Sequence, residues 1–146
     1  MKKPCTLRKV NRAFKPTKPR EYQQSFIDDI TKAVMSGYKR IVACASTGAG
    51  KSIVLAIIAQ RALNKNKRVI IILPRRSLVI QLSETFTNFG ITQGIVMAGE
   101  PEYRSARCQI VSVDTYMERL ASGRMQIIQA DSVESFNGAY SAIIYP

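Results

Sequence analysis

Apolar positions follow two different periods along this chain, and the two alternate. From Glu21 to Ser36 the residues Tyr22, Phe26, Ile27, Ile30, Ala33 and Val34 recur at helical spacing, and Gly37 then supplies a natural helix stop. "RIVACA" (40–45) is a short continuous apolar run of the kind expected in a strand buried on both faces. "KSIVLAIIAQRALN" (51–64) reads as a helix, and Val69–Leu73 as a second buried strand closed by Pro74. In "RRSLVIQLSETFTNFG" (75–90), Leu78, Val79, Leu82, Phe86 and Phe89 share one helical face. "GIVMA" (94–98) predicts a short strand, and "CQIVSVD" (108–114) a stronger one running into a helix over 115–121. Residues 122–140 carry no legible period, and "YSAIIY" (140–145) closes the chain as a further strand.

Strands separated by helices of about 10–15 residues imply right-handed crossovers, so the expected class is α/β, a parallel sheet covered by helices on both faces. A chain of 146 residues suits one domain with one core. Residues 1–20 hold eight basic residues, three prolines and no acidic residue. Residues 1–17 are therefore expected to form a flexible basic arm, and residues 18–146 the domain.

Charge sharpens this picture. The net charge is +12, and residues 1–76 hold 18 Lys/Arg against 3 Asp/Glu, while residues 77–146 hold 4 against 7. A basic half on a small protein points to a polyanionic partner, nucleic acid first, although charge also serves solubility. No apolar stretch approaches the roughly 18–20 residues of a membrane span, and the basic N-terminus lacks the apolar segment of a signal peptide. A cytoplasmic setting is expected. Histidine is absent, which excludes a His-based triad, a His general base and most transition-metal sites. Cys5, Cys44 and Cys108 are odd in number and irregularly spaced, indicating neither a disulfide framework nor a zinc site.

The chemistry concentrates in "ASTGAGKS" (45–52), between a buried strand and a helix. Two readings compete: a loop that wraps a phosphate chain, and a flexible turn. Phosphate binding needs backbone N–H groups pointing inward, and Gly48 and Gly50 let the chain turn without a Cβ in the way. The helix N-terminus adds its dipole. Lys51 can then reach the outer phosphates, and the Ser52 hydroxyl can meet magnesium. A plain turn would not need lysine and serine together after Gly50. The general pattern is G-x-x-x-x-G-K-[ST], here with Ala45 at the first glycine position.

This segment resembles motif I of the superfamily 2 helicases, and three others are similar to that family's motifs in order and spacing. "KPREYQQSFIDDI" resembles the upstream adenine-recognition motif, of the form R-x-Y-Q, which implies that Arg20 and Gln23 meet the base. "IIILPRRSLVIQLSETF" resembles motif Ia, which implies phosphate contacts from Arg75 and Arg76; alone, the two arginines would be a solvated corner. "CQIVSVDTYMERL" resembles the segment in which a strand ends at a threonine near the nucleic acid, here Thr115. The resemblance covers roughly residues 18–146 and is strongest to the type III restriction and DNA-repair branch. It implies an incomplete RecA-like P-loop domain, the first of two, that binds ATP and Mg²⁺ through Ser46, Thr47, Gly48, Ala49, Gly50, Lys51 and Ser52. Lys51 and Ser52 would be its catalytic residues and Ser52 its metal ligand. The implied activity is ATP-driven translocation on, or unwinding of, nucleic acid, DNA before RNA.

The pattern breaks at the family's Asp-Glu motif. No Asp-Glu pair occurs in the sequence, and Pro146 stands about where the aspartate is expected. Asp114 is a weaker candidate for the magnesium-side carboxylate. The second RecA-like domain, with its arginine fingers, is also absent from the sequence, so the chain alone is expected to be a poor ATPase. Two other readings stay open: a non-catalytic remnant that binds nucleotide or nucleic acid, and a small P-loop kinase. The kinase reading accounts for the glycine loop but not for "REYQQ" or "PRRSL".

Overall fold

The computed structural model describes residues 18–103, 105–124, 132–136 and 140–145. The expected arm at 1–17 and the position of Pro146 lie outside the described residues. Among the described residues, four helices and six strands follow in the order α1 (Glu21–Met35), β1 (Arg40–Ala43), α2 (Lys51–Asn64), β2 (Arg68–Leu73), α3 (Arg76–Asn88), β3 (Gln93–Val96), β4 (Cys108–Ser112), α4 (Val113–Ala121), β5 (Ser132–Phe136) and β6 (Tyr140–Tyr145). Their bounds fall within two residues of those read from the hydrophobic periods, except for β5, which lies in the stretch without one.

Helix ends follow directly from local chemistry. After α1 and α3 the chain turns through Gly37 and Gly90 at positive φ, and paired main-chain bonds (Tyr38 N–H to the Ala33 carbonyl, Ile91 N–H to that of Phe86) satisfy the last helical carbonyls. α2 ends the same way with Asn66 at φ 59°, an asparagine tolerating what glycine normally supplies.

The six strands form one sheet in the order β1-β5-β6-β2-β4-β3. β2, β4 and β3 are mutually parallel, and β1 is parallel to β5. β6 runs against both of its neighbours, β5 and β2. The parallel, helix-flanked sheet expected from the sequence is present in β2, β4 and β3, and β6 joins it as an antiparallel strand. Only residues 137–139 separate β5 from β6, and so short a link permits a hairpin but no crossover, which needs a dozen or more residues. One consequence is positional. Tyr145, the last residue of β6, pairs with Arg68 at the start of β2, so β6 runs away from the glycine loop. A strand delivering a carboxylate to that loop would run towards it.

Side chains alternate between two layers. Along β2, Val69, Ile71 and Leu73 join Cys108 and Ile110 of β4 beneath α1, α2 and α3, packed on Ile27, Leu55, Val79, Leu82 and Phe86. Ile70 and Ile72 face the other way, with Val96, Val111 and Tyr116 of α4. α2 lies between α1 and α3 and is buried at Val54, Leu55, Ala56, Ile58, Ala59 and Ala62. Each fully buried side chain of the size of Ile71, Leu82 or Phe86 contributes about 1.5–3 kcal/mol of transfer free energy.

β1 departs from its expected two-sided burial. Ala43 is buried, but Val42 is 76% exposed. β1 is the end strand of the sheet, and among the described residues its helices cover one face only. A continuous apolar run cannot distinguish that position from a central one.

Candidate nucleotide site

The glycine loop connects the C-terminal end of β1 to the first turn of α2. A tight turn opens it, with the Ala49 N–H donating to the Ser46 carbonyl at 3.2 Å. Gly48 and Gly50 have φ of +83° and +74°, left-handed values that cost an L-residue about 1–2 kcal/mol. Around Gly48 the space is open. A Cβ on Gly50 would collide with the side-chain amide of Gln23. Lys51 and Ser52 are the first two residues of α2, whose first turn carries no acidic side chain. Their N–H groups lie among the four that an α-helix leaves free at its positive end.

α1 holds this loop from the side. Gln23 is 4% exposed. Its Nε2 donates to the Ala49 carbonyl at 2.9 Å, and its Oε1 accepts the Arg20 N–H at 3.0 Å. The second bond closes half a capping box, since N3 glutamine returns to the N-cap main chain. The Tyr22 hydroxyl donates to the same Ala49 carbonyl at 3.3 Å. Between helix and loop lies a cleft of about 470 Å³. α1 lines it with Tyr22, Gln23 and Phe26, the loop with residues 45–49, and α2 with Lys51 and Val54.

The structure thus gathers Gln23, Ser46, Thr47, Gly48, Ala49 and Lys51 around one cleft. Gly50 and Ser52 flank it in sequence, and Arg20 stands at the N-cap of α1. From the sequence, Phe26 takes only a place on an apolar helical face, and Tyr22 takes that place and the Y of R-x-Y-Q with no ligand role. They lie one helical turn apart, and their own spacing beside Gln23 is the signal that could have marked them. Gln23 has a second role that its sequence motif does not announce, since both ends of its amide already bond the chain. One amide hydrogen and one carbonyl lone pair remain for a ligand.

This cradle fits a phosphate chain: two left-handed glycines, a helix N-terminus, a lysine and a hydroxyl. When bound, ATP–Mg²⁺ would supply the phosphoanhydride to be split, with Lys51 and the loop N–H groups holding its phosphates and Ser52 its metal. The residues that line the cleft include no carboxylate. Asp114 is exposed in the first turn of α4, behind β4. β4 lies four strand spacings from β1, about 19 Å across the sheet, and Asp114 is not among the residues that line the cleft.

The residues expected to meet nucleic acid share the C-terminal edge of the parallel strands with this loop. Arg75 is the exposed N-cap of α3. Arg76 is exposed as well, and its Nη1 donates to the Ala98 carbonyl at 2.9 Å, tying α3 to the loop after β3. Thr115 is 8% exposed, and its Oγ1 accepts the Ser112 hydroxyl at 2.9 Å. That bond steadies the first turn of α4 and leaves Thr115 inside it.

Comparison with known proteins agrees with this geometry. The family model described as "Type III restriction enzyme, res subunit" matches residues 16–144. No curated protein matches the chain. The strand–loop–helix cradle, the helix-flanked sheet and a match over most of the sequence lead to one assignment. The chain has a RecA-like P-loop NTPase fold and belongs to the type III restriction enzyme res subunit family, a superfamily 2 helicase-like domain.

Proposed function

We propose that this chain is the nucleotide-binding domain of an ATP-dependent DNA helicase or translocase. ATP–Mg²⁺ enters the cleft between α1 and the glycine loop. Lys51 and the loop N–H groups bind its phosphates, Ser52 its magnesium, and Gln23 with Arg20 its adenine. Arg75 and Arg76, and the α4 turn built on Thr115, carry the nucleic-acid strand along the same edge of the sheet. A cytoplasmic setting belongs to this reading. Among the described residues no helix is long and apolar enough to cross a membrane.

The observation that carries the reading is the loop itself, a lysine and serine at the N-terminus of α2 behind two left-handed glycines, facing a cleft. Nucleotide splitting also needs a carboxylate to position the attacking water and a cation from a facing domain. The lining of the cleft lacks the first. Binding of nucleotide by this chain should therefore exceed its turnover, which is the observation favouring a binding role for the chain on its own.

The test is ATP binding and hydrolysis by the purified chain with Mg²⁺, with and without DNA, beside Lys51→Ala. The expected result is ATP binding that Lys51→Ala removes, with little turnover. Equal ATP binding by the two proteins would overturn the assignment of the loop. DNA-stimulated turnover lost in Lys51→Ala would overturn the binding-only role and require a carboxylate from elsewhere.

A further inference from the structure

Strands that share a direction also share a starting edge, on the far side of the sheet from the glycine loop. β1 starts at Arg40 and β2 at Arg68, and Arg107 immediately precedes β4. Arg68 and Arg107 are neighbours across the sheet, because Val69 pairs with Cys108 and the Val69 N–H donates to the Arg107 carbonyl at 2.9 Å. The turn into β2 adds Lys65 and Lys67, and the turn into β1 adds Lys39. All of these except the half-buried Lys67 are exposed. Among the described residues, the connections α1–β1 and α2–β2 and the approach to β4 at 105–107 hold no carboxylate. Glu134 of β5 pairs with Ile41, one residue in from the edge, and Asp131, which precedes β5 in the sequence, lies outside the described residues.

The central part of this edge is built rather than incidental. Asn66 takes φ 59° to end α2, with the Lys67 N–H bonded to the Ala62 carbonyl at 3.0 Å and the Asn66 N–H to that of Leu63 at 3.0 Å. That fixes the backbone of Lys65 and Lys67. The Asn66 side chain then accepts Arg107 Nη1 at 2.8 Å, joining two separate connections into one cationic surface. Glycine would serve the turn but has no side chain to accept Arg107, and aspartate would accept it only by adding a negative charge; asparagine does both without one.

We infer that this edge is a second nucleic-acid contact, which holds the phosphate backbone of a duplex on the side opposite the nucleotide cleft. Lys65, Lys67, Arg68 and Arg107 form its centre, and Lys39 and Arg40 extend it along the sheet. From β1 to β4 the edge spans about 19 Å, over which a duplex presents roughly 11 phosphate charges. An acidic protein fits less well. The cores of protein interfaces are enriched in aromatic residues and depleted of charge; at the centre of this edge, 61–68 and 105–107, there is no exposed large hydrophobic residue, and Tyr38 and Met35 are exposed only at its β1 end. The contact reads no bases, so it is sequence-independent and salt-dependent. It stands independently of the nucleotide site and of Arg75 and Arg76.

The experiment is fluorescence anisotropy of the full chain with a labelled 20-base-pair duplex at 50–200 mM salt. In Lys65→Ser/Lys67→Ser/Arg68→Ser the slope of log K against log salt should fall by about 2–3, since each released phosphate contact contributes about 0.9. Arg75→Ser/Arg76→Ser should lower affinity separately and additively. Lys65→Arg/Lys67→Arg/Arg68→Lys should keep the parent slope. Should the triple serine variant unfold, Lys65→Ser/Lys67→Ser, confined to the exposed turn, takes its place with an expected fall of about 1–2. An unchanged slope in the serine variants overturns the inference. So does displacement of the duplex from the parent chain by polyglutamate of equal charge concentration, which would make the edge a general polyanion surface.

Discussion

The side-chain amide of Gln23 bonds the Ala49 carbonyl at 2.9 Å, so the first helix of the domain grips the glycine loop one residue before Gly50. The grip and the glycine depend on each other, because the space that a Cβ of Gly50 would fill is the space that the amide occupies.

Gln23→Ala removes a buried amide and leaves the Arg20 N–H and the Ala49 carbonyl without it. A loss of stability of about 1–3 kcal/mol is expected, measured as a lower urea midpoint at unchanged slope. ATP affinity should fall in the same variant by more than GTP affinity. Equal loss for both nucleotides would confine Gln23 to holding the loop.

Gly48→Ala and Gly50→Ala separate backbone strain from collision. Both positions have positive φ, but only Gly50 has a neighbour in the way. Gly48→Ala should cost about 1–2 kcal/mol. Gly50→Ala should cost more and weaken nucleotide binding further, by isothermal titration, since Gln23 must also leave Ala49. Similar losses at the two positions would refute the contact.

Cys108 is fully buried in the main core, and burial pushes its thiol from 9.0 up to about 12. The unfolded chain loses this proton at lower pH than the folded one. Stability from this group is complete below about pH 9 and is lost progressively between pH 9 and 12. Alkaline denaturation curves of Cys108→Ala should lack that component. In the native chain at pH 8, a maleimide followed by peptide mapping should label the exposed Cys44 and spare Cys108.

Phe86 lies at the centre of the face that α3 presents to the sheet and has no exposed surface. Phe86→Ala should cost about 3–5 kcal/mol, read by chemical denaturation. Ile80→Ala, on the exposed side of the same helix, should change stability by less than about 0.5 kcal/mol.

Helices and strands were legible because their signals are local. Periods of apolar residues, glycine after a helix and proline after β2 act over a few residues, and the bounds of α2 follow from them without adjustment. The glycine loop was legible for the same reason, as a contiguous run between a strand and a helix. Strand order, strand direction and burial of individual faces are long-range properties. The hairpin of β5 and β6 was missed because the segment holding β5 has little apolar period, and without β5 nothing required β6 to reverse. The exposure of Val42 depends on β1 being an end strand, which no neighbour in sequence records.

The sequence by itself determined the α/β class, the position of the glycine loop at residues 45–52 and the strongly basic first half, because residue type and short spacing suffice for each. Only the tertiary structure decided that Gln23 grips Ala49, that Asp114 follows a strand four places from β1 in the sheet, and that Arg68 lies beside Arg107. Those relationships join residues 26, 71 and 39 positions apart or more. Proximity at such separations is set by how strands pair and helices pack, and the chain carries no local record of it.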